Sequence, residues 1–91
     1  MRFLVLIDYT DMEARARTVE RHRAYLAAGR ESGIVVDSGP FLDGAGGVYV
    51  LESSGDAEAQ RFVAADPYFK DAHLGFTIRA YRSSREKNAP T

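Results

Sequence analysis

The chain has no cysteine and no tryptophan among its 91 residues. Without cysteine there can be no disulfide framework, no thiolate nucleophile and no cysteine-ligated metal. Proline occurs three times, and two of the three, Pro40 and Pro67, stand where the hydrophobic pattern changes character. Neither sign of charge dominates. Lys and Arg number 12 against 13 Asp and Glu, for a formal net charge of −1. That balance offers no basic excess for nucleic acid and no acidic tail. The longest apolar run, Phe3 to Ile7, is far too short to span a membrane. No small-residue cleavage site follows it, so it does not read as a secretory leader, and the expected location is the cytoplasm. There is no H-E-x-x-H, and the two histidines and scattered carboxylates do not form a metal-ligand spacing. There is no G-x-S-x-G nucleophile motif, and Gly44, Gly46 and Gly47 lack the context of a phosphate loop.

What is present is ordinary globular composition, 45% apolar and 27% charged. The length suits one domain, with a stability of about 5–13 kcal/mol by the per-residue rule. Residues 2–9 (RFLVLIDY) read as a strand. Leu4 and Leu6 point one way and Phe3, Val5 and Ile7 the other, so both faces are apolar and a central, doubly covered position is expected. Thr10 and Glu13 form a T-x-x-E capping box for a helix that runs to about Ser32, with Gly33 as its stop. Met12, Val19 and Leu26 mark its buried stripe, with His22 within about 60° of it. Ile34 to Pro40 form a second strand, a Gly-rich turn covers 42–47, and 47–52 (GVYVLE) form a third strand. A polar cluster at 53–56 starts a second helix, whose stripe is Ala59, Phe62, Val63 and Asp66. Pro67 ends it, and a short turn through Asp71 follows. His73 to Tyr81 form the last strand, with Leu74, Phe76, Ile78 and Ala80 on one face. Residues 83–91 lack periodicity and read as a flexible tail beyond a domain spanning 1–82.

The order β-α-β-β-α-β predicts an α+β, ferredoxin-like sandwich, with two helices on one face of a four-stranded antiparallel sheet. The other face carries Tyr and branched residues, and an open apolar face of that size predicts a homodimer packed sheet to sheet.

Three features could carry chemistry. His22 sits mid-helix beside the apolar stripe, where a partly buried imidazole needs a partner; a bond to backbone would satisfy it as well. Asp66 lies on the stripe of the second helix at its C-terminal end, where a negative charge opposes the helix dipole. Followed by Pro67, it is also a good cap for the next turn. The two helices lie side by side in this topology, so the pair could meet. A carboxylate on one imidazole nitrogen leaves the other free as a base. The third feature is Ser38-Gly39-Pro40, where a hydroxyl and a glycine at a strand end allow close approach of a ligand; strand-end punctuation explains it equally. Arg15, Arg17, Arg21, Arg23 and Arg30 are expected on a solvated helix face with Glu13, Glu20 and Glu31. Tyr9, Tyr25, Tyr49, Tyr68 and Phe69 could line an aromatic pocket or fill the core.

In this order and spacing the residues resemble the YCII (YciI-like) family over nearly the whole chain. The resemblance rests on His22 followed by Leu26, on Gly29 or Gly33, on Ser38-Gly39-Pro40 and on Asp66-Pro67-Tyr68. It implies a dimeric α+β barrel with His22 and Asp66 as a catalytic acid/base dyad and Ser38, Gly39 and Pro40 as substrate-binding residues. It also implies lyase- or dehydrochlorinase-type chemistry on a phenolic or enolisable small molecule, without metal or organic cofactor. Two positions depart from the family pattern. Arg23 follows His22 where Leu is common, and Val19 stands where an Arg often precedes the His by three. Arg15 or Arg21 could supply that cation instead. A second reading is a non-catalytic module that binds a small metabolite, in which the His–Asp pair only satisfies a buried polar contact. A third, by analogy of fold alone, is kinship with cofactor-free monooxygenases and muconolactone isomerases.

Overall fold

A computed structural model describes residues 1–86 of the chain. Its elements are β1 (Arg2–Asp8), α1 (Met12–Ser32), β2 (Val35–Pro40), β3 (Gly46–Glu52), α2 (Asp56–Ala65), α3 (Pro67–Lys70) and β4 (Gly75–Tyr81). The strands form one antiparallel sheet in the order β2-β3-β1-β4. This is the ferredoxin-like arrangement that the element order predicts, with the short α3 added after α2.

Register separates the two faces. Phe3, Val5 and Ile7 pair across β1 with Leu51, Tyr49 and Gly47, and on the other side with Ala80, Ile78 and Phe76. This is the helix-covered face, and Phe3, Val5, Tyr49 and Leu51 on it are almost completely buried. Leu4, Leu6, Val48 and Val50 fall on the opposite face and are half-buried in the single chain. Among the described residues, the central strand is therefore covered on one side only. The open face is aliphatic; Tyr49 belongs to the core, and of the strand tyrosines only Tyr81, paired with Arg2, faces out.

Three local expectations shift. The cap of α1 is Asp11, whose carboxylate accepts from the Ala14 N–H at 3.0 Å. Asp is the stronger N-cap of two adjacent candidates, and it moves the start one residue past Thr10. The buried stripe of α1 is Ala14, Thr18, His22, Leu26 and Gly29, while Met12 is 55% exposed. Small residues at 14, 18 and 29 bring the helix backbone close to its neighbours, and a search for large apolar residues passes over them. A Cβ on Gly29 would lie 2.7 Å from Val35 and 2.9 Å from Phe62. Finally, β4 begins at Gly75, because His73 adopts a left-handed φ of 53° that interrupts extended backbone.

Of the segment 83–91, residues 83–86 form a turn in which Ser83 is buried and its hydroxyl accepts from the Arg85 N–H. The remainder of the expected tail, 87–91, lies outside the described residues. Among the described residues, no helix is long and apolar enough to cross a membrane.

Candidate active site

Asp66 stands at the junction of α2 and α3 and serves both. It is the C-cap residue of α2, and its side chain caps α3 by accepting the Tyr68 N–H at 2.9 Å. Pro67 at the first position of α3 fits the cap, having no N–H to satisfy. The expected inward stripe of α2 is therefore real, and Asp66 is fully buried.

The same carboxylate meets two further donors. Nδ1 of His22 lies 2.8 Å from its Oδ1, and the Tyr49 hydroxyl donates to its Oδ2 at 3.1 Å. Every contact of the carboxylate is thus with a donor, the pattern an acceptor-only group requires when it is sealed from water. Burial, reinforced by the adjacent Asp66 charge, pushes the Tyr49 hydroxyl well above the ordinary tyrosine range and keeps it protonated as a donor. The dual reading of Asp66, as cap or as histidine partner, resolves to both at once.

This contact fixes the imidazole. With Nδ1–H given to Asp66, Nε2 is the nitrogen with a free lone pair. It has no hydrogen bond within the described residues, and it is not among the atoms sealed from solvent without a partner. Tyr68 holds the ring from one side, stacked at 3.7 Å between centroids with 9° between planes. Position and rotation of His22 are thereby both set.

The imidazole opens onto a cavity of about 290 Å³ between α1 and the β2–β3 side of the sheet. Ser38, Gly39 and Pro40 line it, together with Tyr9 and Tyr68. Tyr25 packs instead on Phe62, and Phe69 on Phe76. His73, at the turn before β4, is not part of the cavity. Among the described residues there is no group of three or more His, Cys, Asp or Glu side chains placed to hold a metal ion.

The arginines of α1 do not form one solvated face. Arg15, Arg23 and Arg30 line the cavity, whereas Arg21 turns away to pair with Asp71 at 2.6 Å. Arg15 donates to the Tyr68 hydroxyl at 3.2 Å and sits 4.9 Å from the centre of the Tyr9 ring. Burial opposes its charge, but the hydrogen bond to Tyr68 and the neighbouring Tyr9 outweigh this and its pKa is raised. Burial likewise raises the Tyr68 hydroxyl, against the opposing pull of Arg15. Of the two arginines that could replace a cation missing at Val19, Arg15 is the one that lines the cavity with His22 and shares Tyr68 as a neighbour. Helical phase carries the signal: at about 100° per residue, Arg15 falls about 20° from His22 and Arg21 about 100° away.

The profile of the YCII-related domain matches residues 1–82. A search of curated proteins returned no match. Among solved structures, the chain is similar to 5-chloro-2-hydroxyhydroquinone dehydrochlorinase from Burkholderia phenoliruptrix AC1100, in complex with 2,5-dihydroxybenzoquinone. The TM-score is 0.77 at 22% identity, covering 93% of this chain and 97% of the other. At that identity the likeness speaks to the fold.

Proposed function

The chain belongs to the family of YCII-related domains, and from that membership and the site geometry we propose a lyase-type enzyme in which His22 moves protons on a small hydroxylated ring. The observation that carries the reading is the buried His22–Asp66 pair, with Nδ1 committed and Nε2 open to a cavity at the small end of ligand-site volumes. His22 is the general base and acid. Asp66 is a positioning residue that sets the tautomer and stabilises the imidazolium. Ser38, Gly39 and Pro40 form the wall against which the ring lies.

The similar structure's enzyme supplies a model reaction of the right class, dehydrochlorination of 5-chloro-2-hydroxyhydroquinone. In such a reaction a base takes a proton from a ring hydroxyl and returns it to the chlorine-bearing carbon. A second hydroxyl then gives up its proton as the C–Cl bond breaks and chloride leaves with the bonding pair. The sum is loss of HCl, and the ring ends as a quinone without any outside oxidant. Nε2 suits both proton transfers. Arg15, beside Tyr68, is placed to stabilise the phenolate formed on the way.

The proposal extends to assembly. Leu4, Leu6, Val48 and Val50 form the aliphatic centre of the uncovered sheet face. A second copy of the chain packed sheet to sheet covers that surface, as isologous dimers commonly do.

The test is turnover of that chlorinated ring, read as chloride by ion chromatography and as quinone by absorbance. The expected result is release above the buffer control that falls about 10²–10⁴-fold in His22→Gln with the circular dichroism spectrum unchanged. Undiminished turnover in the variant overturns the role of His22. Saturable binding without any turnover favours the metabolite-binding module.

A further inference from the structure

The mechanism above uses one end of the cavity; the other end carries a second, similar device. Arg30, in the last turn of α1, donates from Nη2 to the Ser38 hydroxyl at 2.6 Å. A basic residue there ordinarily serves the helix C-terminus. Here the nearby carbonyls have other partners: Gly29 O accepts the Ile34 N–H and the Ser32 hydroxyl, and Arg30 O accepts the Gly33 N–H. The guanidinium reaches instead to β2 and contributes to the cavity lining. Ser38 accepts from Arg30, so its own hydroxyl proton is unspent and no acceptor for it exists among the described residues. The remaining guanidinium N–H groups and this O–H form a cluster of donors with no acceptor among the described residues.

Charge sharpens the point. Among the described residues, three arginines and no Asp or Glu line the cavity; Asp66, bonded to His22 of that lining, is fully buried and satisfied. Arg23 has Glu20 at 3.3 Å, but Arg15 and Arg30 contact only neutral oxygens and form no ion pair among the described residues. The whole chain carries a net charge of −1, so the positive lining of the cavity is not a property of the chain as a whole. Along α1, at about 1.5 Å per residue, His22 lies between the levels of Arg15 and Arg30, two turns from each. Arg15 is assigned to the phenolic oxygen, which leaves Arg30 and Ser38 for a different group.

We propose that Arg30 and Ser38 form a carboxylate seat, so that the preferred ligand is a single hydroxylated ring bearing a carboxylate. The planar guanidinium fork matches a carboxylate with two parallel hydrogen bonds, and the Ser38 hydroxyl adds a third donor. The open space at Gly39, where a Cβ would meet nothing within 4 Å, leaves the approach clear. This inference rests on the cavity being the substrate site, but it concerns recognition and not proton transfer.

The experiment therefore reads binding alone. Two probes that differ only by the carboxylate, 2,5-dihydroxybenzoate and hydroquinone, are titrated into the full chain by protein-observed NMR. The expected result is at least tenfold tighter binding of the benzoate. Arg30→Gln abolishes the preference and leaves hydroquinone within twofold, and Ser38→Ala reduces the preference in part. Arg17→Gln, an exposed arginine of the same helix outside the cavity, retains it and controls for general charge. His22→Gln also retains it, which separates the seat from the catalytic reading: loss of turnover with the preference intact leaves the seat standing. Equal affinities in the wild type, no binding of either probe, or a preference that survives Arg30→Gln overturns the proposal.

Discussion

Replacing Asp66 tests the centre of the site, and two replacements separate its terms. Asp66→Ala removes the acceptor for His22 Nδ1, the Tyr49 hydroxyl and the Tyr68 N–H, all three on buried residues. Each buried donor left unpaired costs about 1–3 kcal/mol, so the sum is at least about 3 kcal/mol. That is a large share of the stability of a domain of this size, about 5–13 kcal/mol. Asp66→Asn is milder. Its amide oxygen can keep both bonds now made to Oδ1, and the Tyr49 hydroxyl can rotate to accept from the new NH₂. What is lost is charge assistance on three bonds, about 1 kcal/mol apiece. Relief from burying a charge offsets part of this, for a net cost of about 1–3 kcal/mol. Equilibrium urea unfolding gives both numbers, and Asp66→Ala should be the costlier. In the wild type, ¹⁵N NMR of neutral His22 should find the proton on Nδ1. Alanine costing no more than asparagine, or a wild-type imidazole protonated at Nε2, refutes the reasoning.

Further outcomes follow from other parts of the structure. Tyr49 is fully buried and its ionisation is held far above the ordinary range, whereas in the unfolded chain it titrates near the usual tyrosine value of about 10. The unfolded state then binds fewer protons than the native state, so stability is intact below about pH 10 and falls by about 1.4 kcal/mol per pH unit above it for this residue. Urea midpoints from pH 8 to 11 measure the slope, and a flat profile contradicts it. Gly46→Ala drives a Cβ into the Ile7 carbonyl oxygen of the paired strand. Overpacking of this kind costs about 1–3 kcal/mol, and a thermal melt matching the wild type would argue against that register. Sedimentation velocity should give a dimer, and Leu6→Arg with Val48→Glu should give a folded monomer; a monomeric wild type removes the sheet-to-sheet assembly.

The strands and the helix sequence were legible because the chain alternates and punctuates clearly. Phe3, Val5 and Ile7 follow the period of a strand, Gly33 stops a helix, and Pro67 stops another. His22 and Asp66 were legible because each looks misplaced on an apolar stripe, a cost that a partner must offset. Less could be read where the determining term is not hydrophobicity. Ala14, Thr18 and Gly29 join the contact stripe of α1 by being small, whereas of the heptad of larger residues Leu26 lies on it, Val19 packs at its edge and Met12 is exposed. Arg15 and Arg30 resembled solvated surface because charged helix positions usually are; only their phase relative to His22 set Arg15 apart from Arg21. Tyr68 gives no local sign that its ring will stack on an imidazole 46 positions earlier in the chain.

Asp66 caps one helix, closes another and orients the proposed base with a single carboxylate. In many enzymes the reactive groups are held in arrangements that weaken the fold, and selection must trade one against the other. Here the demands coincide at one position. A substitution that loosens the helix junction also releases the imidazole, and one that frees the imidazole also unsettles the junction. Selection for a durable fold therefore preserves the oriented histidine whether or not its chemistry is in use at the time. On the proposed reading, the site can persist through changes of ligand, with new specificity arising at the cavity wall while position 66 stays fixed.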